Sequence, residues 1–191
     1  MKKDIFSSIR IVLTFCVVLS LGYVLVLWIF AKCAGPAKGA PEKVMYEGRV
    51  VGAANVGQTF TDSVYFWGRP SAVDYDASSS GGSNYGPTDS VYLSIVEARI
   101  DNFLLAHPYL DRSEVPSEMV TASGSGLDPD ISPEAARVQV LRVAKARGVS
   151  ADSVEAILSK HVEEPLLGPA KVNVLKLNVE LDNVFKNDIV E

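Results

Sequence analysis

Cysteine and histidine are scarce in this chain, two of each in 191 residues, and no cysteine occurs after Cys33. The remainder is therefore expected to fold on its own hydrophobic core, without a disulfide framework or a cysteine-based zinc site. Cys16 and Cys33 lie about 25 Å apart along a helix rising 1.5 Å per residue, so they cannot pair with each other. His107 precedes a proline and His161 closes a helical segment, positions that read as structural. No spacing brings a carboxylate pair together, so no acid–base constellation emerges and catalysis by this chain alone is not expected. Basic residues are also in deficit. The 18 Lys and Arg face 23 Asp and Glu, and the imbalance lies after residue 34, where 14 basic residues stand against 22 acidic ones. A domain of that sign is a poor partner for nucleic acid or an anionic lipid surface.

What the sequence does have is one long apolar run. Ile11 to Ala31 carries no charge for 21 residues, enough to cross about 30 Å of hydrocarbon as a helix. The basic residues Lys2, Lys3 and Arg10 precede it, as they would a signal peptide, but the run exceeds a typical signal core and no A-x-A site follows. Lys32 directly before Cys33 also argues against lipid attachment. The expectation is a retained anchor: residues 1–10 cytoplasmic, 11–31 transmembrane, 32–44 a short Pro/Gly/Ala linker, and 45–191 one extracytoplasmic domain.

The domain reads as α+β. Arg49 to Gly52, Ser63 to Trp67 and Lys171 to Val179 carry β-rich runs. Ser90 to Ala106 has apolar residues at three- and four-residue spacing and is stopped by His107-Pro108. Ser132-Pro133-Glu134 opens a helix expected to reach Arg147, with Gly148 as its stop. Asp152-x-x-Glu155 opens a third, with Val154, Ile157 and Leu158 facing inward. Two Gly/Ser-rich stretches, Ala77 to Pro87 and Thr121 to Pro133, are too long for turns and are expected to be shaped loops.

Neither loop carries a recognisable chemical motif. SSSGGSNYGP lacks the lysine of a Walker loop, and Asp128 and Asp130, divided by Pro129, lack the distal glutamate of an EF-hand. Ser125 lacks the first glycine of a hydrolase elbow. Trp67-Gly68-Arg69-Pro70 is different in kind, since aromatics beside an arginine are the residue types that dominate protein interfaces. A tight turn with Arg69 paired to a carboxylate is the plainer reading.

Phe66 to Ala72 (FWGRPSA), Ser80 to Pro87 (SGGSNYGP), Val120 to Asp128 (VTASGSGLD), Ile131-Ser132-Pro133, the helix AARVQVLRVAKARG and the closing VNVLKLNVELD together resemble the C subunits of Kdp-type potassium-transporting P-type ATPases. Gly57-Gln58-Thr59-Phe60 resembles that family's Gly-Gln element. The sequence departs from the family pattern at Thr88-Asp89-Ser90, where Asn-Pro is common, and at Asp130, where His is common. The resemblance implies family-motif and interface residues at Gln58, Phe66, Trp67, Gly68, Arg69, Pro70, Ser71, Gly81, Gly82, Ser83, Asn84, Gly124, Ser125, Gly126 and Asp128. It further implies a non-catalytic subunit that helps assemble a potassium-conducting and an ATP-hydrolysing subunit, with a small single-span subunit as a further partner. A chaperone role that raises the pump subunit's affinity for ATP is implied as well. No cofactor is expected on this chain, potassium and ATP being handled elsewhere in the complex. The alternative is a stand-alone membrane-anchored binding protein of the cell envelope.

Overall fold

The computed structural model describes residues 2–185, which divide into one unit ending at Glu42 and a second beginning at Lys43. The first is a helical rod: α1 (Lys2–Val17), a π-helical stretch (Val18–Tyr23) and α2 (Val24–Ala34) follow without a break. Lys3–Ala34 has a mean hydropathy of 2.5 in its most apolar window and buries none of it. At 1.5 Å per residue the rod is about 48 Å long, well beyond the hydrocarbon thickness of a bilayer. The helix thus extends past both ends of the uncharged run. Its wide π turns fall on the only glycine of the rod, Gly22, and on Ser20, and such turns loosen the i→i−4 ladder locally. Thr14 Oγ1 satisfies itself on Arg10 O at 2.8 Å, as a hydroxyl in an apolar solvent must.

The second unit is α+β. β1 (Lys43–Tyr46) and β2 (Arg49–Ala53) form an antiparallel hairpin. Its turn, Glu47-Gly48, has positive φ at both residues (49° and 76°), the geometry that matches strand twist in two-residue hairpins. A second antiparallel sheet has the order β3 (Asp130–Ile131), β5 (Lys171–Asn173), β4 (Val162–Glu163). Among the described residues of the unit there are five α-helices, α3 (Ser90–Ala106), α4 (Pro133–Arg137), α5 (Val140–Arg147), α6 (Ala151–Lys160) and α7 (Val174–Val184), and two short 3-10 turns at Arg112–Glu114 and Ser117–Met119. The main core joins Phe66, Phe103, Ile131, Val143, Leu158 and Leu177, while Val44, Ala54 and Leu175 form a smaller cluster under the hairpin.

Several expectations hold in detail. α3 spans the predicted residues and is capped by Asp89, whose carboxylate accepts the N–H groups of Val91 and Tyr92. Ser132 caps α4 with Pro133 in its first turn, Gly148 ends α5 at φ 69°, and Val154, Ile157 and Leu158 are buried.

Four expectations fail for identifiable reasons. Ser63 to Trp67 forms no strand: Ser63 and Val64 lie in a turn closed by Tyr65 N–H on Asp62 O at 3.3 Å, and side chains take up the backbone groups of Phe66 and Trp67. The helix expected over 132–147 is two, since Gln139 at the junction (φ −92°, ψ −13°) turns its buried amide onto Ala135 O at 3.0 Å and onto the neighbouring chain. α6 is capped by Ser150 rather than Asp152. Lys171 to Val179 is strand only to Asn173, after which the chain is α7. There Val174, Leu177, Asn178 and Leu181 recur at helical spacing on the buried face, and Asn173 caps the turn by accepting from Lys176 N–H at 3.0 Å.

Candidate functional site: an interlocked loop face

Between β2 and α3 the chain runs 36 residues without regular structure, yet nearly every turn is held. After the turn at Ser63 and Val64, Phe66 and Trp67 behave as a short strand whose neighbours are side chains. Asn178 on α7 accepts Phe66 N–H at 2.8 Å and donates to Phe66 O at 2.9 Å. Gln139 accepts Trp67 N–H at 2.8 Å and donates to Trp67 O at 3.2 Å. Two buried carboxamides thus stand in for the peptide groups of a β partner. On the preceding residues Arg142 donates to Ser63 O (2.6 Å) and Tyr65 O (3.0 Å), and Arg147 to Val64 O (2.7 Å).

These arginines are themselves buried, so their charge needs compensation. Arg147 meets Asp182 at 2.8 Å, and Asp182 also accepts from the Tyr65 hydroxyl. Arg142 lies 4.1 Å over the Trp67 ring and donates from Nε to His107 Nε2 at 2.9 Å. A guanidinium can only donate, so Nε2 accepts and the His107 proton sits on Nδ1, bonded to Phe103 O at 2.7 Å. Burial holds His107 neutral, its pKa pushed down to about 4, and pulls Arg142 down to about 10.

Beyond Trp67 the chain turns to the surface and locks onto the 121–130 loop. Arg69 Nη1 pairs with Asp128 Oδ2 at 3.1 Å, both side chains partly exposed. The Tyr75 hydroxyl donates to Arg69 O, and a Cβ would come within 2.7 Å of the Tyr75 ring at Gly57 and within 3.1 Å of its hydroxyl at Gly68. Pro70 O accepts Ser123 N–H at 3.1 Å. Ser71 Oγ donates to Gly126 O (2.7 Å) and accepts Val73 and Tyr75 N–H. That hydroxyl is saturated and is not a free nucleophile. Gly57 and Gly81 donate to Leu127 O and Ser125 O, each at 2.8 Å. Gly126 sits at φ 68°, and a Cβ there would come within 2.8 Å of Gly81 O, so only glycine lets the two loops close. Gln58 folds back to Val51 O at 2.9 Å, across Gly52.

The structure thus draws Gly68, Arg69, Pro70, Ser71, Gly81, Gly82, Gly124, Ser125, Gly126 and Asp128 into one face, whereas the Gln58 side chain is turned to the hairpin at Val51 and Gly52. Ser83 lines a shallow polar hollow beside it with Tyr92 and Arg99, and Asn84 is exposed at φ 55°. Phe66 is the exception, fully buried in the core, and Trp67 packs partly into it against Phe103 and His107. An open cleft of about 320 Å³ is walled by Phe60, Trp67, Pro70 and Tyr75 and bordered by Arg69. Arg69 Nε is buried there without a hydrogen-bond partner. Among the described residues no three His, Cys, Asp or Glu side chains converge on a metal position. Sequence reasoning missed the residues behind the face: Gln139, Arg142, Arg147, Asn178 and Tyr75. The available signal was a polar residue at an inward position of an apolar helix, as at Gln139 and Asn178.

Fold and site together define an α+β module that carries one apolar helix long enough to span a membrane and displays a stiff, loop-built surface. The profile of the family "KdpC: K+-transporting ATPase, c chain" matches residues 5–183. A "Potassium-transporting ATPase KdpC subunit" of Phocaeicola vulgatus is 62% identical over 185 residues, 94% of this chain and 98% of the relative. Proteins of the same description from Bacteroides fragilis and Caldanaerobacter subterraneus are 59% identical over 187 residues (95% and 98%) and 44% over 184 (95% and 95%). The chain belongs to the KdpC family, the C subunits of potassium-transporting ATPases. Membership in such a complex implies partner subunits.

Proposed function

We propose that this chain is the accessory subunit that assembles and stabilises a high-affinity potassium-import complex, using the interlocked loop face to dock on the potassium-conducting and ATP-hydrolysing subunits. The observation that carries this reading is the construction of the face. Gly126, Ser71 and Tyr75 fix two irregular loops against each other, and a surface stiffened before association loses little entropy when it docks.

In this reading the N-terminus is cytoplasmic, the helix spans the inner membrane beside partner helices and a small single-span subunit, and the acidic domain lies outside. Cytoplasmic ATP then does not reach the glycine-rich loops across about 30 Å of hydrocarbon. No nucleotide or potassium ion is bound directly by this chain. Any gain in the pump subunit's ATP affinity passes through the span as a coupling free energy of about 1–3 kcal/mol.

The test is Arg69→Ala. The Arg69–Asp128 pair is partly exposed, so its loss is expected to cost the domain about 1 kcal/mol or less and to leave its melting temperature within a few degrees. Recovery of the other subunits with the tagged chain is expected to fall. Full recovery of the complex, or a large drop in melting temperature, would show Arg69 to be a structural turn residue instead.

A further inference from the structure

The hairpin joining β4 to β5 ends in Glu163-Glu164-Pro165-Leu166-Leu167-Gly168-Pro169, and its two leucines are 100% and 88% exposed. Among the described residues outside the N-terminal helix these are the highest exposures of any large apolar side chain, and they are adjacent. Single exposed leucines are ordinary on a protein surface, but two neighbouring ones that give nothing to folding are not. The tip is also restrained. Pro165 and Pro169 each fix a backbone angle, Gly168 takes φ 108°, and the stem is closed by β4–β5 pairing with Lys171 Nζ 3.7 Å from Glu163. A pre-set apolar knob surrenders little freedom on burial.

We propose that Leu166 and Leu167 form a docking knob that inserts into an apolar pocket on another subunit of the ATPase. This inference rests on the reading of the chain as an assembling subunit. Charge and size both select protein over lipid as the occupant. Glu163 and Glu164 lead into the tip of an already acidic domain, which an anionic leaflet repels. Two leucine side chains also hold less hydrocarbon than a single myristoyl chain, itself only a marginal membrane anchor. Position supports a shared interface: Pro165, Leu167 and Gly168 wall one side of an open groove whose other wall carries Arg69 and Asp128, so one partner surface would meet both the knob and the loop face.

The test places a photo-crosslinking amino acid at position 166 of the full chain, in membranes that hold the whole complex, and identifies the product by mass. A covalent product with another subunit of the ATPase is expected. A product with lipid only, with a second copy of this chain, or none at all would overturn the proposal. In parallel, Leu166→Ser with Leu167→Ser should leave the melting temperature unchanged and lower recovery of the complex about tenfold or more, the equivalent of about 1.4 kcal/mol. Full recovery would overturn it. If Arg69→Ala disrupts assembly while the serine variant does not, the knob fails and the loop face stands; if neither does, both fail.

Discussion

Asn178→Leu, which keeps the branching and heavy-atom count of the side chain, is expected to destabilise the domain by about 3–4 kcal/mol. The substitution leaves Phe66 N–H and Phe66 O buried without partners, and each orphaned group costs about 1–3 kcal/mol. Phe66 itself is fully buried, so the segment cannot turn its peptide groups to water without withdrawing the ring from the core. For a unit of this size the loss corresponds to a fall in melting temperature of roughly 10 °C. Thermal unfolding of the full chain in detergent reads it directly. Asn183→Leu, an exposed position on the same helix, is the control and is expected to change stability by less than about 0.5 kcal/mol. An Asn178 variant as stable as the control would show that the carboxamide clamp is incidental.

The second large effect is on pH dependence. The ordinary histidine value is 6.5, and His107 in the folded chain sits near 4 because burial disfavours the charged ring. The unfolded chain therefore takes up a proton as pH falls through about 6.5, while the folded chain does not until pH 4. Stability is thus fully present above 6.5, falls between about 6.5 and 4, and levels below. The loss attributable to this one group is about 3 kcal/mol. Protonation at Nε2 would also force two cations together, since Arg142 donates to that atom. Loosening is then expected first in Ser63 to Trp67, which Arg142 holds. His107→Gln retains one donor and one acceptor but does not titrate, so its stability should lack the descent between pH 6.5 and about 5. An unaltered descent in that variant would assign the effect to other groups.

The parts of the fold legible in the sequence are those fixed by local chemistry. The period of Ser90 to Ala106 and the Ser132-Pro133 start are written within a few residues of where they act. The rest is decided by groups far apart in the chain. SVYFW has the composition of a strand, but its partners are side chains on α5 and α7, 112 residues away in the case of Asn178. VNVLKLNV alternates well enough to be read as strand, yet the spacing of Val174, Leu177 and Leu181 against the core decides for helix. At the loop face the sequence shows glycines, serines and an arginine in suggestive order. It does not show that Arg69 meets Asp128, 59 residues on, or that Tyr75 braces the turn. The exposed Leu166-Leu167 tip carries no sequence signal, because an apolar pair looks alike whether it is buried or presented.

The most direct test of the docking account is thiol labelling at Ala72, an exposed residue of the loop face, as Ala72→Cys in a chain whose Cys16 and Cys33 are replaced by alanine. A membrane-impermeant maleimide is applied to intact cells, with the chain produced alone or together with the remaining subunits. The account predicts rapid labelling from outside when the chain is alone and a rate at least tenfold lower when the complex assembles. Labelling only after the membrane is broken, or equal rates in the two cases, would contradict it.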